Sequence, residues 1–263
     1  MKKVLMVGGD ARMRIAKSEL EKSRFIIDTL GLFENDCGDP SSADVILLPV
    51  PLTRDGVTVA CPITKRQIPL DIVNEAGKSA LILSGGKLPF TERDYINYCA
   101  LDDFALLNAV PTAEGAIAAA IDSTDFTLWH SNVLVIGMGR VARVLIHRLK
   151  GFECNLTVSA RKQSDFALLE TNGTEYIHTE SIADTADRYD VIFNTVDAPV
   201  LDPSADKLKN TVIIDLSSKG CFTDTNDLST YRKLPGLPGR TAPVTAGRII
   251  AQTAARQIKA QRR

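Results

Sequence analysis

The chain has 263 residues, 44% hydrophobic and 24% charged, a length above that of one ordinary domain and a composition that closes a sizeable core and excludes disorder as the main state. Thirty-one lysines and arginines against 32 aspartates and glutamates leave a formal charge of −1, which argues against a surface built to coat nucleic acid. Five cysteines without a C-x-x-C pair predict neither a disulfide framework nor a zinc ribbon, and fit a reducing, cytoplasmic compartment.

The apolar run in the first residues is too short for a signal or spanning segment, so no export or membrane segment is expected. Short β-branched or leucine-rich runs, each followed by turn residues, then alternate with helical stretches, the rhythm of a parallel α/β sheet. Strands are predicted at Val4–Val7, Arg24–Asp28, Val45–Pro49 and Ala80–Leu83, with a helix over Ala11–Ser23 after the Gly8-Gly9-Asp10 turn. Val50–Thr58 reads as a loop and Gln67–Glu75 as the place of a short helix. Together these make an N-terminal, substrate-side α/β domain over 1–110.

Pro111-Thr112 opens a second organisation. Thr112 is expected to cap a helix over Ala113–Asp122, with Glu114 in its first turn where the dipole favours a carboxylate. Strands follow at Val133–Gly137, Asn155–Ala160, Asp190–Thr195 and Thr211–Leu216, with helices at Arg140–Leu149 and Ser164–Asn172. The expected fold class is α/β: two doubly wound parallel-sheet domains joined by interdomain helices, the second, over 111–241, a Rossmann domain. Pro235-Gly-Leu-Pro-Gly239 closes it, and a final helix, Pro243–Ala260 within 242–263, is free to pack back on the first domain. Leu228–Arg263 carries eight basic residues and no acid, which reads either as a solvated helix face or as a stripe for an acidic partner or anionic substrate.

Gly137-Met138-Gly139-Arg140-Val141-Ala142 is a G-x-G-x-x-A sequence leaving an apolar strand and entering a helix. Gly137 permits the tight turn, Gly139 lets a pyrophosphate approach the backbone, and Ala142 lets the helix lie close to the strand. The helix start offers unpaired N–H groups and the positive end of its dipole. At the end of the next strand, where an acid would bond a free ribose hydroxyl, the sequence is Ser159-Ala160-Arg161-Lys162. A hydroxyl and two cations predict NADP over NAD, with Ser159, Arg161 and Lys162 on the 2′-phosphate and Arg140 as a further anion donor. Two later strand ends, Asn194-Thr195-Val196 and the segment around Ser217, reach the same sheet edge, as cofactor contacts or as local turn builders. His130, His147 and His178 meet no other ligand at metal spacing, so no catalytic metal is predicted.

Four further blocks occur in order along nearly the whole length: Gly8-Gly9-Asp10-Ala-Arg12, Leu48-Pro-Val-Pro-Leu-Thr-Arg-Asp-Gly56, Ala109-Val-Pro-Thr112-Ala-Glu114-Gly115, and Pro235-Gly-Leu-Pro-Gly239 with Ala242-Pro-Val-Thr-Ala-Gly247. In these the chain resembles the A subunits of dipicolinate synthase. The resemblance implies oxidation of dihydrodipicolinate, from a branch of the lysine pathway, to pyridine-2,6-dicarboxylate with NADP⁺, in the mother cell of a sporulating bacterium. It also implies that the partner is a flavoprotein-like B subunit, and a homo-oligomer is expected. A dicarboxylate substrate calls for a cation in forked geometry. Arg12 is the leading choice, with Asp10 positioning it and Arg54, Arg93 and Arg248 behind. Thr112 and Glu114 complete the catalytic candidates, Glu114 as proton acceptor or helix-start carboxylate. Two other readings stay open: a shikimate-type dehydrogenase of a small carboxylated substrate, and a non-enzymatic NADP-binding subunit.

Overall fold

The computed structural model of the chain describes residues 1–89, 92–201, 208–222 and 228–261. It divides into two units, Met1–Asn108 with Pro238–Arg263, and Ala109–Leu237.

In the first unit β1 (Lys3–Val7) leads through a glycine turn into α1 (Ala11–Lys22), followed by β2 (Ile26–Leu30), β3 (Val45–Leu47), β4 (Leu81–Ser84) and β5 (Ile96–Asn97). The sheet is wholly parallel, in the order β2-β1-β3-β4-β5. Val4, Leu5, Met6 and Val7 have no exposure at all, because a parallel sheet is covered on both faces, and this is why β1 reads as an unbroken apolar run. The Asp10 carboxylate accepts the Arg12 backbone N–H at 3.0 Å and starts α1. Met13, Ala16 and Leu20 then form its buried stripe. The strand order reverses between β1 and β3, so Gly8–Arg12 and the residues after Leu47 meet at one carboxyl edge. Two details differ from expectation. β2 begins at Ile26, because Arg24 takes a left-handed φ of 64° that turns the chain out of α1. The short helix expected in Gln67–Glu75 is a 3-10 turn, Leu70–Glu75, after Pro69.

α2 (Asp102–Ser123) corrects the expected start of the interdomain helix. It begins well upstream of Thr112 and runs through Pro111, which forfeits one backbone bond. Burial outweighs that loss: Phe104 packs in the core of the first unit, and Ala113, Ala116, Ile117 and Ala120 pack in the core of the second. Thr112 therefore lies mid-helix rather than at its N-terminus, and the first-turn acids are Asp102 and Asp103 rather than Glu114. By length and composition alone α2 is apolar enough to cross a bilayer, a property that a core helix shares.

In the second unit β6 (Asn132–Ile136), α3 (Arg140–Leu149), β7 (Asn155–Ala160), α4 (Gln163–Thr171), β8 (Glu175–His178), α5 (Ile182–Thr185), β9 (Val191–Asn194), β10 (Val212–Asp215) and β11 (Tyr231–Lys233) follow in sequence. The six strands are parallel, in the order β11-β10-β9-β6-β7-β8. Counted from β6 this is the 3-2-1-4-5-6 order of dinucleotide-binding sheets, with its reversal between β6 and β9. Val133, Val135, Val158, Val191 and Phe193 face one core with α2 and α3, while Leu134, Ile136, Ile192 and Ile213 face another.

The chain closes with α6 (Leu237–Thr241) and α7 (Pro243–Ala260). Ile249, Ile250, Ala254 and Ile258 of α7 share a core with Met13, Ala16 and Leu20 of α1. On the outer side Arg248 pairs with Glu19 at 3.6 Å and Arg256 with Asp103. Much of the basic stripe is thus a solvated, ion-paired helix face.

Candidate functional site

The carboxyl edge of the second sheet gathers the glycine turn and two polar strand ends. Gly137 has φ 106°, and a side chain there would stand 2.7 Å from Thr195 Oγ1 and 2.8 Å from Val196 Cγ1. The turn leaving β6 is therefore pressed against the turn leaving β9, and only glycine fits. Thr195 fixes this contact by donating its hydroxyl to the Ile136 carbonyl at 2.7 Å. The Gly137 N–H goes to the Ser159 carbonyl of β7 at 3.0 Å.

Gly139 is the opposite case. A Cβ on it would meet nothing within 4 Å. It stands at the N-cap of α3 with no side-chain cap, while Ala142 is fully buried behind it. The first turn of α3 is left open to an anion by its own sequence, and these residues fit a dinucleotide diphosphate. Met138 is half-buried; Arg140 is exposed, and Val141 is half-buried in the first turn. Arg143 reaches back to the Met138 carbonyl at 3.1 Å.

At the end of β7, Arg161 and Lys162 are exposed, whereas Ser159 has no exposure and its hydroxyl meets no partner among the described residues. Ser159 lies within β7, whose last residues are covered on both faces of the sheet, whereas Arg161 and Lys162 follow the strand's end at Ala160.

Asn194 and Ser217 are also turned inward, and the residue that holds them is one that sequence reasoning passed over. Asp215 ends β10 with no exposure. Its Oδ1 accepts Asn194 Nδ2 at 2.9 Å, the Ser217 N–H at 2.9 Å and Ser217 Oγ at 2.7 Å. Its Oδ2 accepts the Cys221 N–H at 2.8 Å and Tyr231 OH at 2.7 Å. Burial alone would raise the carboxyl pKa, but hydrogen bonds from Ser217, Asn194 and Tyr231 outweigh it and hold the group below its ordinary value. Burial and the Asp215 charge push the Cys221 thiol and the Tyr231 phenol the other way, well up. Asn194 completes its amide with the Val196 N–H at 3.2 Å and carbonyl at 3.0 Å. Asn194 and Ser217 therefore build local turns beneath the edge. The missed signal was the acid closing the apolar run Val212-Ile-Ile-Asp215, since a buried carboxylate must find donors.

In the first unit the predicted pair does come together. Arg12 Nε lies 3.0 and 3.1 Å from the two Asp10 oxygens, and Nη2 lies 2.8 Å from Oδ2. Nη2 also donates to the Val50 carbonyl after β3, so the pair bridges the strand-order reversal of that sheet. Arg12 is only 5% exposed, and the Gly239 backbone lies over its guanidinium, an ideal Cβ there standing 2.9 Å from Nε. Among the described residues Nη1 has no acceptor. Nearby, Tyr98 is buried with its hydroxyl on the Leu48 carbonyl at 2.8 Å, and burial pushes the Cys99 thiol up to about 12.

The remaining candidates are placed elsewhere. Arg93 donates to the carbonyls of Val73, Ala76, Gly77 and Ala80 and ties a loop. Arg54 is exposed. Glu114 is exposed on α2 and pairs with Arg148 of α3 at 3.4 Å, a surface contact; Thr112 is half-buried on the same helix.

Comparison with known proteins bears on this arrangement. The family model for the N-terminal domain of the dipicolinate synthase A subunit matches residues 3–95. The dipicolinate synthase A subunit of Bacillus subtilis (strain 168) is 28% identical, covering 95% of this chain and 93% of that protein. The crystal structure of the dipicolinate synthase A subunit from Bacillus halodurans superposes with a TM-score of 0.85 at 29% identity, over 97% of both chains. This chain is a relative of the dipicolinate synthase A subunits. The likeness runs through both sheets rather than through the first alone. A transhydrogenase from Sinorhizobium meliloti, 12% identical with a TM-score of 0.68 over 98% of this chain and 94% of that one, shares the fold.

Proposed function

We propose that the chain is the dehydrogenase subunit of a dipicolinate synthase, an NADP-dependent oxidoreductase that converts dihydrodipicolinate to pyridine-2,6-dicarboxylate in the mother-cell cytoplasm of a sporulating bacterium. The observation that carries this is the uncapped first turn of α3 with its open Gly139, at the strand-order reversal of a six-stranded sheet. The relatives carry the product in their name, and their being A subunits implies a B companion.

A bound dinucleotide supplies a hydride acceptor. The chain's own residues bind and orient. The amides of the α3 start hold the diphosphate, and Arg161 and Lys162, with no acid beside them, favour a 2′-phosphate over a free hydroxyl. Ser159 contributes its carbonyl to the Gly137 turn. Formation of the aromatic ring releases one hydride and one proton, so orientation of two flat partners is the main demand. Arg12, aligned by Asp10, keeps Nη1 for a substrate carboxylate. Glu114, ion-paired on the helix surface, suits α2–α3 packing better than proton transfer.

The test is a titration of NADP⁺ and NAD⁺ onto the purified chain, followed by an assay with freshly made dihydrodipicolinate, with and without a B subunit, reading reduced-cofactor absorbance. NADP⁺ binding together with turnover is expected. Tighter binding of NAD⁺ would overturn the coenzyme, and binding without turnover in either mixture would leave a non-catalytic dinucleotide subunit.

A further inference from the structure

The turn after β10 is held more firmly than a connection requires. From Ser217 to Cys221 every backbone N–H is taken by a side-chain oxygen. Asp215 accepts from Ser217 and Cys221 at 2.9 and 2.8 Å. Asp197, in the turn after β9, accepts from Ser218 and Lys219 at 2.6 and 3.2 Å. Ser217 Oγ accepts from Gly220 at 2.9 Å. Ser218 adds its hydroxyl to Asp197 at 2.9 Å. Two carboxylates, one ending β10 and one in the turn after β9, thus hold four of five consecutive N–H groups, and Ser217 Oγ holds the fifth.

What this turn presents outward is Lys219, exposed, its charge felt by the Asp197 carboxyl but with no salt bridge within 4 Å among the described residues. Lys233 is the other cation close by, its Nζ 3.6 Å from an ideal Cβ on Gly220. Prior fixation of a backbone lowers the entropy lost when the side chain it carries engages a ligand.

Sheet spacing says which ligand. Strands stand about 4.8 Å apart, so β10, two places from β6, is roughly 10 Å from the diphosphate turn, and roughly 14 Å from the β7 end assigned to the 2′-phosphate. The β10 turn is too far along the edge to serve either phosphate, and falls toward the reacting end of a dinucleotide laid across the sheet. The partner that reacts there carries two carboxylates.

We propose that Lys219 binds a carboxylate of the substrate at the reacting end of the dinucleotide, and that Asp197 and Asp215 are positioning residues that fix its turn. This assignment rests on the dehydrogenase reading above. It adds a specificity residue on the dinucleotide unit.

The test uses pyridine-2,6-dicarboxylate, the stable product of the proposed reaction, titrated onto the full-length chain saturated with NADPH. Lys219→Met is expected to weaken the dicarboxylate roughly 10- to 100-fold, leave NADPH affinity and melting temperature unchanged, and be largely rescued by Lys219→Arg. Asp197→Ala is expected to weaken the dicarboxylate severalfold in the wild-type background and have no further effect once Lys219 is Met, since it acts through that side chain. Unchanged dicarboxylate binding by Lys219→Met overturns the assignment. So does an equal loss of NADPH, which would make Lys219 a phosphate contact, or an equal dicarboxylate loss in Lys233→Met, which would make the effect general electrostatics. A wild-type chain that binds no NADPH fails one step earlier, at the dehydrogenase reading itself.

Discussion

Asn194 and Asp215 lie on adjacent parallel strands, directly opposite in register, and the amide of one donates to the carboxylate of the other at 2.9 Å with both residues wholly buried. The bond welds the turn after β9, at the strand-order reversal, to the turn after β10 beside it. Asp215→Asn should remove it at almost no change in shape. An amide has one acceptor oxygen where five donors now converge, so one set of donors must face an NH₂ group. A loss of about 2–3 kcal/mol in urea unfolding is expected.

The same residue gives a pH dependence with a definite sign. Its folded pKa is depressed, so its contribution is complete above the unfolded carboxylate value of about 3.9 and disappears as pH falls through the lower folded value. Asp215→Asn should flatten the acid limb of the stability profile over that interval, leave the slope near neutral pH unchanged, and shift the alkaline limb as well, because the Asp215 charge helps hold the Cys221 thiol and Tyr231 phenol up. An identical acid limb in wild type and variant would show that Asp215 is not the titrating group.

Gly137 and Gly139 should separate fold from binding. Gly137→Ala forces φ 106° on a residue with a side chain and drives a methyl to within 2.8 Å of Thr195 and Val196, so a stability loss of about 1–3 kcal/mol and loss of dinucleotide binding are expected. Gly139→Ala meets no protein atom. Its melting temperature should match wild type while dinucleotide binding falls, since the methyl occupies space needed by the diphosphate. Intact binding by Gly139→Ala would remove the diphosphate from this turn.

Arg161 and Lys162 should set coenzyme preference. The double change to alanine is expected to weaken NADP⁺ roughly 10- to 100-fold and leave NAD⁺ nearly unaffected, in parallel titrations at fixed ionic strength. A uniform loss for both coenzymes would assign these cations to general attraction.

Arg12→Met leaves Asp10 without its forked partner and uncouples Val50 from the β1 turn. Arg12 is buried but the Asp10 side chain stays 31% exposed, so water can take over part of what the guanidinium did, and a loss of about 1–2 kcal/mol is expected, read by thermal or urea unfolding. Arg12→Lys restores charge without the fork, so it should recover part of that stability, bind NADP⁺ like wild type and raise the KM for the dicarboxylate.

How much of this could be read from the sequence depended on whether a segment's structure was decided locally. β7 and α3 fall at their expected limits, Asn155–Ala160 and Arg140–Leu149, because apolar alternation, the glycine turn and the helix pattern all agree there. α7 also falls where expected, since Pro243 suits the first turn of a helix and an apolar stripe at helical spacing follows it. Pro111 misled because its local penalty is outweighed by burial on both sides of it, which no window of neighbouring residues contains. β5, β8 and β11 are two, four and three residues long, and they are strands because a neighbour pairs with them, not because their own residues insist. At the site, the glycine turn and the Asp10–Arg12 pair are each contiguous in sequence and were visible. The convergence on Asp215 joins residues from three strands and a turn, and becomes legible only when the strand order is known.

The first unit is discontinuous, and that orders its birth. Its α1 leans on Ile249, Ile250, Ala254 and Ile258, side chains synthesised after the whole of the second unit. During synthesis the amino-terminal half must wait with an apolar flank uncovered, while the dinucleotide unit, encoded in one stretch, can complete itself first. A nascent chain of this design can pair all six strands of its second sheet before the helix that covers its first is made.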